Sequence, residues 1–153
     1  MAQTEKAVAV LQSTEGSKVK GTITFTKSPD GIQVEGELTG LTPGKHGFHI
    51  HEFGDTTSAD GKSAGGHFNP TGEEHGGPNA DHRHAGDFGN IEAGSDGVAK
   101  VSFVDKRISF NGEKSILGRG LVVHAKADDL KSQPSGEAGD RVAVGVIGVA
   151  KAK

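Results

Sequence analysis

The chain has 153 residues, a net charge of -3 and no cysteine. That slight acidity argues against a nucleic-acid partner, which needs a basic face, and no apolar run approaches the roughly 18 residues of a membrane span. Without cysteine there are no disulfides, thiolate ligands or thiol nucleophiles. The length suits one domain over residues 1–153 with one core.

The opening segment, MAQTEKAVAVLQ, lacks the charged start, apolar middle and small-residue cleavage site of a secretory leader. On that segment the chain reads as cytoplasmic; a periplasmic or secreted location fits a chain whose leader has been removed. Turn-forming clusters then recur: STEGS at 13–17, SPDG at 28–31, TPG at 42–44, GSDG at 94–97 and NGE at 111–113. Between them the Val/Ile/Thr-rich runs predict strands near 5–12, 18–26, 32–39, 44–51, 86–93, 97–105, 118–125 and 142–150. Alternation in TITFT and IQVEGEL is that of antiparallel strands with one wet face. Eight short strands, 25 glycines and few aromatics predict an all-β sandwich or flattened barrel. Two long polar segments interrupt it, 54–85 and 127–140, and loops of that length in a compact fold are commonly functional.

Seven of the eight histidines fall between positions 46 and 84. In GKHGFHIHEFGD, at 44–55, strand alternation sends His46, Phe48 and Ile50 one way and His49 and His51 the other. The two residues of an H-x-H pair sit about 7 Å apart on one face, so their rings can converge on one ion. His67, His75, an H84-x-x-D87 pair and His124 extend the set. Six imidazoles and a carboxylate exceed the needs of one tetrahedral ion, which points to two. Imidazole with carboxylate suits zinc; a wholly imidazole set suits Cu(II) and its one-electron chemistry.

GFHIHEFGD, GGHFNP, HGGP, RHAGDFGN, GRGLVVHAKADDL and GDRVAVGVIG together resemble the copper/zinc superoxide dismutase family, in the family's order and along nearly the whole chain. The resemblance implies an eight-stranded antiparallel Greek-key barrel of immunoglobulin-like sandwich type, with two long functional loops. It implies one copper ion on His49, His51, His67 and His124, and one zinc ion on His67, His75, His84 and Asp87, with His67 shared. The implied activity is dismutation of superoxide to oxygen and hydrogen peroxide, in which His67 carries a proton to the second superoxide and Arg141 attracts and orients the anion. Asp128 matches the carboxylate that links a copper-ligand histidine to a zinc-ligand histidine. His46 is expected to be a hydrogen-bonded structural residue and His82 a solvated bystander.

Most relatives tie the first loop to the last strand through a disulfide. Here Val144 stands at the strand position, and Thr56 is the expected loop position. With both half-cystines absent, metal binding is expected to supply much of the loop's restraint. Many relatives are dimers that pair near Phe53, Leu117 and Val149, all apolar here, which makes a homodimer the expected assembly. The alternative to an enzyme is a non-catalytic copper/zinc-binding module for metal delivery or storage on the same fold.

Overall fold

Alternation of apolar and polar residues builds the strands, and the apolar set of each converges on one core. In the computed structural model, which describes residues 3–152, these strands are β1 (Lys6–Ser13), β2 (Lys20–Ser28), β3 (Gly31–Thr39) and β4 (Gly44–His51). They continue with β5 (Asp87–Ala93), β6 (Ala99–Asp105), β7 (Gly120–His124) and β8 (Arg141–Val149). Met1 and Ala2, which begin the segment read for a leader, lie outside the described residues, as does Lys153. Leu11, Ile23, Phe25, Val34, Leu38, Phe48, Ile50, Leu121, Val123 and Ile147 are fully buried in the shared core. All eight predicted strands are present, with edges displaced by at most two residues.

Every pairing is antiparallel, in the spatial order β5-β4-β7-β8-β1-β2-β3-β6. Pairing β3 with β6, and β4 with β7, sends connections across the ends of a nearly closed barrel, which is Greek-key topology. The turn after β5 joins the two ends of this order through a Gly94 N–H donating to Val98 O at 3.1 Å.

Two features of β4 and β7 prepare a site. Phe48 and Ile50 lie in the core with Leu121 and Val123, so His49, His51, Val122 and His124 occupy the opposite face. The segments 52–86 and 125–140 leave the ends of β4 and β7 and cover that face, which is why its histidines are buried although they point away from the core. Register shifts interrupt the β4–β5 ladder between Gly47 and His49 and the β7–β8 ladder between Val123 and His124. Such bulges twist a strand locally and re-aim side chains at site edges.

Candidate metal centre

The first loop reaches the histidine face by running back along β4. Its backbone returns through Glu52 N–H to Gly66 O, Phe53 N–H to Ala64 O and Phe68 N–H to Ile50 O, all at 2.8–2.9 Å. His67 thereby forms an isolated antiparallel bridge with His51. A tight turn presents His84 and Asp87: His84 N–H donates to Asp87 Oδ2 at 2.8 Å and Gly76 N–H to the same oxygen at 3.1 Å. Asp87 Oδ1 is left facing three histidine rings.

Among the described residues two four-membered groups of donor atoms result, each drawn together within 4.8 Å: His49, His51, His67 and His124, and His67, His75, His84 and Asp87; a third, of His49, His75 and Asp128, shares a histidine with each. In the second group His67 Nδ1 lies 2.8 Å from Asp87 Oδ1 and 3.1 Å from His84 Nδ1. His75 Nδ1 and His84 Nδ1 lie 2.9 and 3.3 Å from the same carboxylate oxygen. These separations of 2.8–3.3 Å lie at or below the roughly 3.3 Å between donors of a tetrahedral ion with ligands at about 2.0–2.1 Å, so the group could close on one ion. In the first group the rings of His49 and His67 stand 4.0 Å apart, those of His51 and His67 4.9 Å, and Nε2 of His124 is 3.4 Å from Nε2 of His51.

The buried atoms without hydrogen bonds include His49 Nδ1 and His67 Nε2, on two residues of the first group. Burying a polar atom without a partner is costly, so orphaned nitrogens converging on one another fit a cation between them. The opposite ring nitrogens are committed: His51 Nδ1 to Gly65 O at 2.8 Å, His124 Nδ1 to Gly139 O at 3.0 Å, and His49 Nε2 to Asp128 Oδ2 at 2.7 Å. His75 Nε2 donates to Asp128 Oδ1 at 2.8 Å. Asp128 thus ties one histidine of each group to the other. Such hydrogen bonds fix which nitrogen of a ring is free for a metal. Gly136 lets the second loop close over this link: a Cβ there would overlap Asp128 Oδ1 and lie 2.8 Å from His75 Nε2.

Electrostatics hold most of these rings neutral, the form that binds metal. Burial pushes His67 down to about 4 and His124 to about 3, and lowers His49 and His51 as well. His75 is the exception: burial opposes its charge, but hydrogen bonds to Asp128 and Asp87 outweigh it and raise it to about 9. Burial alone would raise the two carboxylates. Hydrogen bonds from His67, His75 and His84 hold Asp87 well below the usual range, and those from His49 and His75 hold Asp128 low.

A cleft of about 370 Å³ opens onto the first group, lined by His51, His67, His124, Pro134, Ser135 and Arg141 among others. Arg141 is half-buried and pinned, its Nη1 donating to Gly61 O at 2.7 Å and Nη2 to Gly65 O at 2.6 Å. Gly65 O also accepts from His51, so one carbonyl locates both the guanidinium and a ring of the first group. His46 belongs to neither group: its Nδ1 lies 2.8 Å from His124 O and its Nε2 2.8 Å from Thr42 O. His82 is 78% exposed and pairs with Glu73 at 2.9 Å.

The expectation for Thr56 is overturned. Thr56 is exposed, whereas a Cβ on buried Gly61 would lie 2.8 Å from Val144 Cγ2. Gly61, with φ 79, is therefore the loop position opposite Val144. The loop is held there by Arg141, by Glu15 N–H donating to Ala59 O at 2.8 Å, and by a small apolar cluster of Ala64, Val122 and Val144. Sequence reading also passes over three amides that pair with a backbone in both directions: Asn69 with Glu73, Asn90 with Asp128 and Gln133 with His75. Nothing in their spacing separates them from ordinary loop amides.

Residues 19–147 match the family described as copper/zinc superoxide dismutase. A solved structure titled as that of the clock protein EA4 superposes with a TM-score of 0.89 at 43% identity, over 98% of either chain. With the family match spanning most of the sequence and a barrel face carrying two adjoining donor sets, this chain belongs to the copper/zinc superoxide dismutase family.

Proposed function

We propose that the chain dismutes superoxide to oxygen and hydrogen peroxide, with one copper ion held by His49, His51, His67 and His124 and one zinc ion by His67, His75, His84 and Asp87. The observation that carries this reading is His67 itself. Its Nδ1 faces the carboxylate-containing group, while its Nε2 is buried without a partner beside the all-histidine group. Copper would supply one-electron exchange, accepting an electron from one superoxide and returning it to the next, while zinc would be redox-silent.

The chain's own residues supply the rest. Arg141, fixed by two carbonyls at the cleft, draws in a small anion and orients it toward the histidines. Balance requires two protons for each pair of superoxide anions. His67 Nε2, buried without a partner, is a site from which one can be delivered by general-acid transfer. Asp128 and the Gly65 and Gly139 carbonyls fix the rings of His49, His51 and His124 around it, while Nε2 of His67 has no hydrogen-bond partner. His51, His67, His124 and Arg141 border the cleft, while His49 is fully buried.

The test is metal content per chain measured alongside superoxide consumption, before and after copper loading. Activity that follows copper and disappears on chelation supports the reading. Stoichiometric copper and zinc without consumption would favour a non-catalytic binding module instead. Arg141→Ala should lower the rate about tenfold or more with metal content unchanged, since it removes positioning and not ligation. For the assembly we propose a homodimer through the apolar positions Phe53, Leu117 and Val149, of which Phe53 and Val149 are 49% and 67% exposed. Sedimentation of Phe53→Glu beside the wild type checks this, a monomeric wild type being the adverse result.

A further inference from the structure

His75 lies in a stretch, Glu73–Gly77, that belongs to no strand or helix. Among the described residues its backbone N–H and C=O have no backbone partner. Both are taken instead by one side chain 58 positions away: Gln133 Oε1 accepts from His75 N–H at 2.8 Å, and Gln133 Nε2 donates to His75 O at 2.9 Å. Nε2 donates further to Lys131 O at 3.1 Å, so the amide is also anchored to its own loop. Buried backbone groups demand partners, and an amide that meets both groups of one residue fixes that residue's orientation as a ladder neighbour would.

The ring of His75 is held at its far end by Asp128, which takes Nε2 at 2.8 Å. Gln133 and Asp128 thus hold backbone and ring tip, leaving Nδ1 directed at Asp87 Oδ1, 2.9 Å away. Gln133 is followed by Pro134 and Ser135, both lining the cleft above the all-histidine group. A single amide therefore joins the strandless run that carries His75 to the rim of the cleft.

We propose that Gln133 is a positioning residue for zinc, acting through the backbone of His75 to keep Nδ1 on the ion and so to slow its release. This rests on the metal assignment made above. Contacts that orient a ligand from behind commonly change metal affinity by about 10–100-fold. Gln133 is exposed on its outer side, which places the expected effect at the lower end, about tenfold in the rate of zinc loss.

The test compares zinc-loaded wild type, Gln133→Ala, Gln133→Met and Lys131→Ala as zinc passes to excess chelator at neutral pH. Cobalt(II) placed in the zinc position reports ligand geometry through its visible absorption. Gln133→Met keeps the bulk and length of the side chain without its donor and acceptor. The expected result is release about tenfold faster, with altered cobalt absorption, in both Gln133 variants, and release within twofold of wild type for Lys131→Ala. Release from Gln133→Met at the wild-type rate would overturn the proposal by showing that packing is enough. Unchanged release in both Gln133 variants would overturn it while leaving the metal assignment standing. A wild type that retains no zinc would overturn both.

Discussion

Arg83 is the largest fully buried side chain, and its surroundings show how a charge is kept inside the barrel. Nη2 pairs with Asp105 at 2.6 Å, while Nη1 donates to Asp87 O at 2.9 Å and Pro78 O at 3.1 Å. Asp105 Oδ1 accepts from Arg107 N–H and Ile108 N–H. Removing one partner strands the other charge, which costs about 3–5 kcal/mol. Arg83→Met should therefore lower stability by about that amount in chemical denaturation, and should loosen the turn that presents His84 and Asp87. An equally stable variant would show that the pair contributes little net. In HRH at 82–84 the histidines attract attention because their chemistry is rare, whereas the arginine between them looks like a solvated loop residue. His49 and His51 were legible because a strand fixes their common face. Arg83 was not, because its partner is set by how a loop folds back on β6, and no spacing records that.

Among elements, the strands are legible from period-2 patterning, and the two loops from their length and, for the first, from its histidines. What patterning cannot supply is the course of a loop once it leaves the sheet. The first loop illustrates this: a restraint expected at Thr56 falls at Gly61, packed on Val144 of β8. Gly61→Ala would place a Cβ at φ 79 within 2.8 Å of Val144 Cγ2. Overpacking of this kind costs about 1–3 kcal/mol. The expected outcome is a lower melting temperature and faster proteolysis within the first loop. Combining it with Val144→Ala should recover part of the loss, because the side chain that must yield is then gone. No recovery would mean that backbone strain dominates the clash. The bulge beside His124 is equally invisible in advance, since nothing in LVVHA marks it and the extra residue lies in its partner strand β8.

For the molecule as a whole, the concentration of imidazoles makes stability and metal binding one problem of protons. Without an ion in place, His49, His51, His67 and His124 have pKa values below the ordinary 6.5 because they are buried, with His67 at about 4 and His124 at about 3. The unfolded chain then binds protons that the folded one refuses, so their contribution is complete above pH 6.5 and is lost as pH falls toward 4 and below. His75 works in the opposite sense. Burial opposes its charge, yet its bonds to Asp128 and Asp87 raise it to about 9, so its contribution is complete below pH 6.5 and is lost as pH rises to 9. Asp87 and Asp128, both held low, add stability that disappears only below their ordinary 3.8. Four groups against one make the acid side steeper, and the metal-free protein should melt highest close to neutrality. Zinc changes the alkaline side specifically. Its binding requires His75 without the proton on Nδ1, so the loaded protein has no such proton to lose between pH 6.5 and 9. Melting temperatures from pH 4.5 to 9 should fall on both sides of neutrality for the metal-free protein, but only on the acid side once zinc is bound. Zinc loading should also raise the melting temperature at every pH above 6.5, because an ion that binds only the folded state stabilises it by mass action. Identical alkaline limbs with and without zinc would mean that His75 does not meet the ion, and the histidine cage would then need a different set of donors.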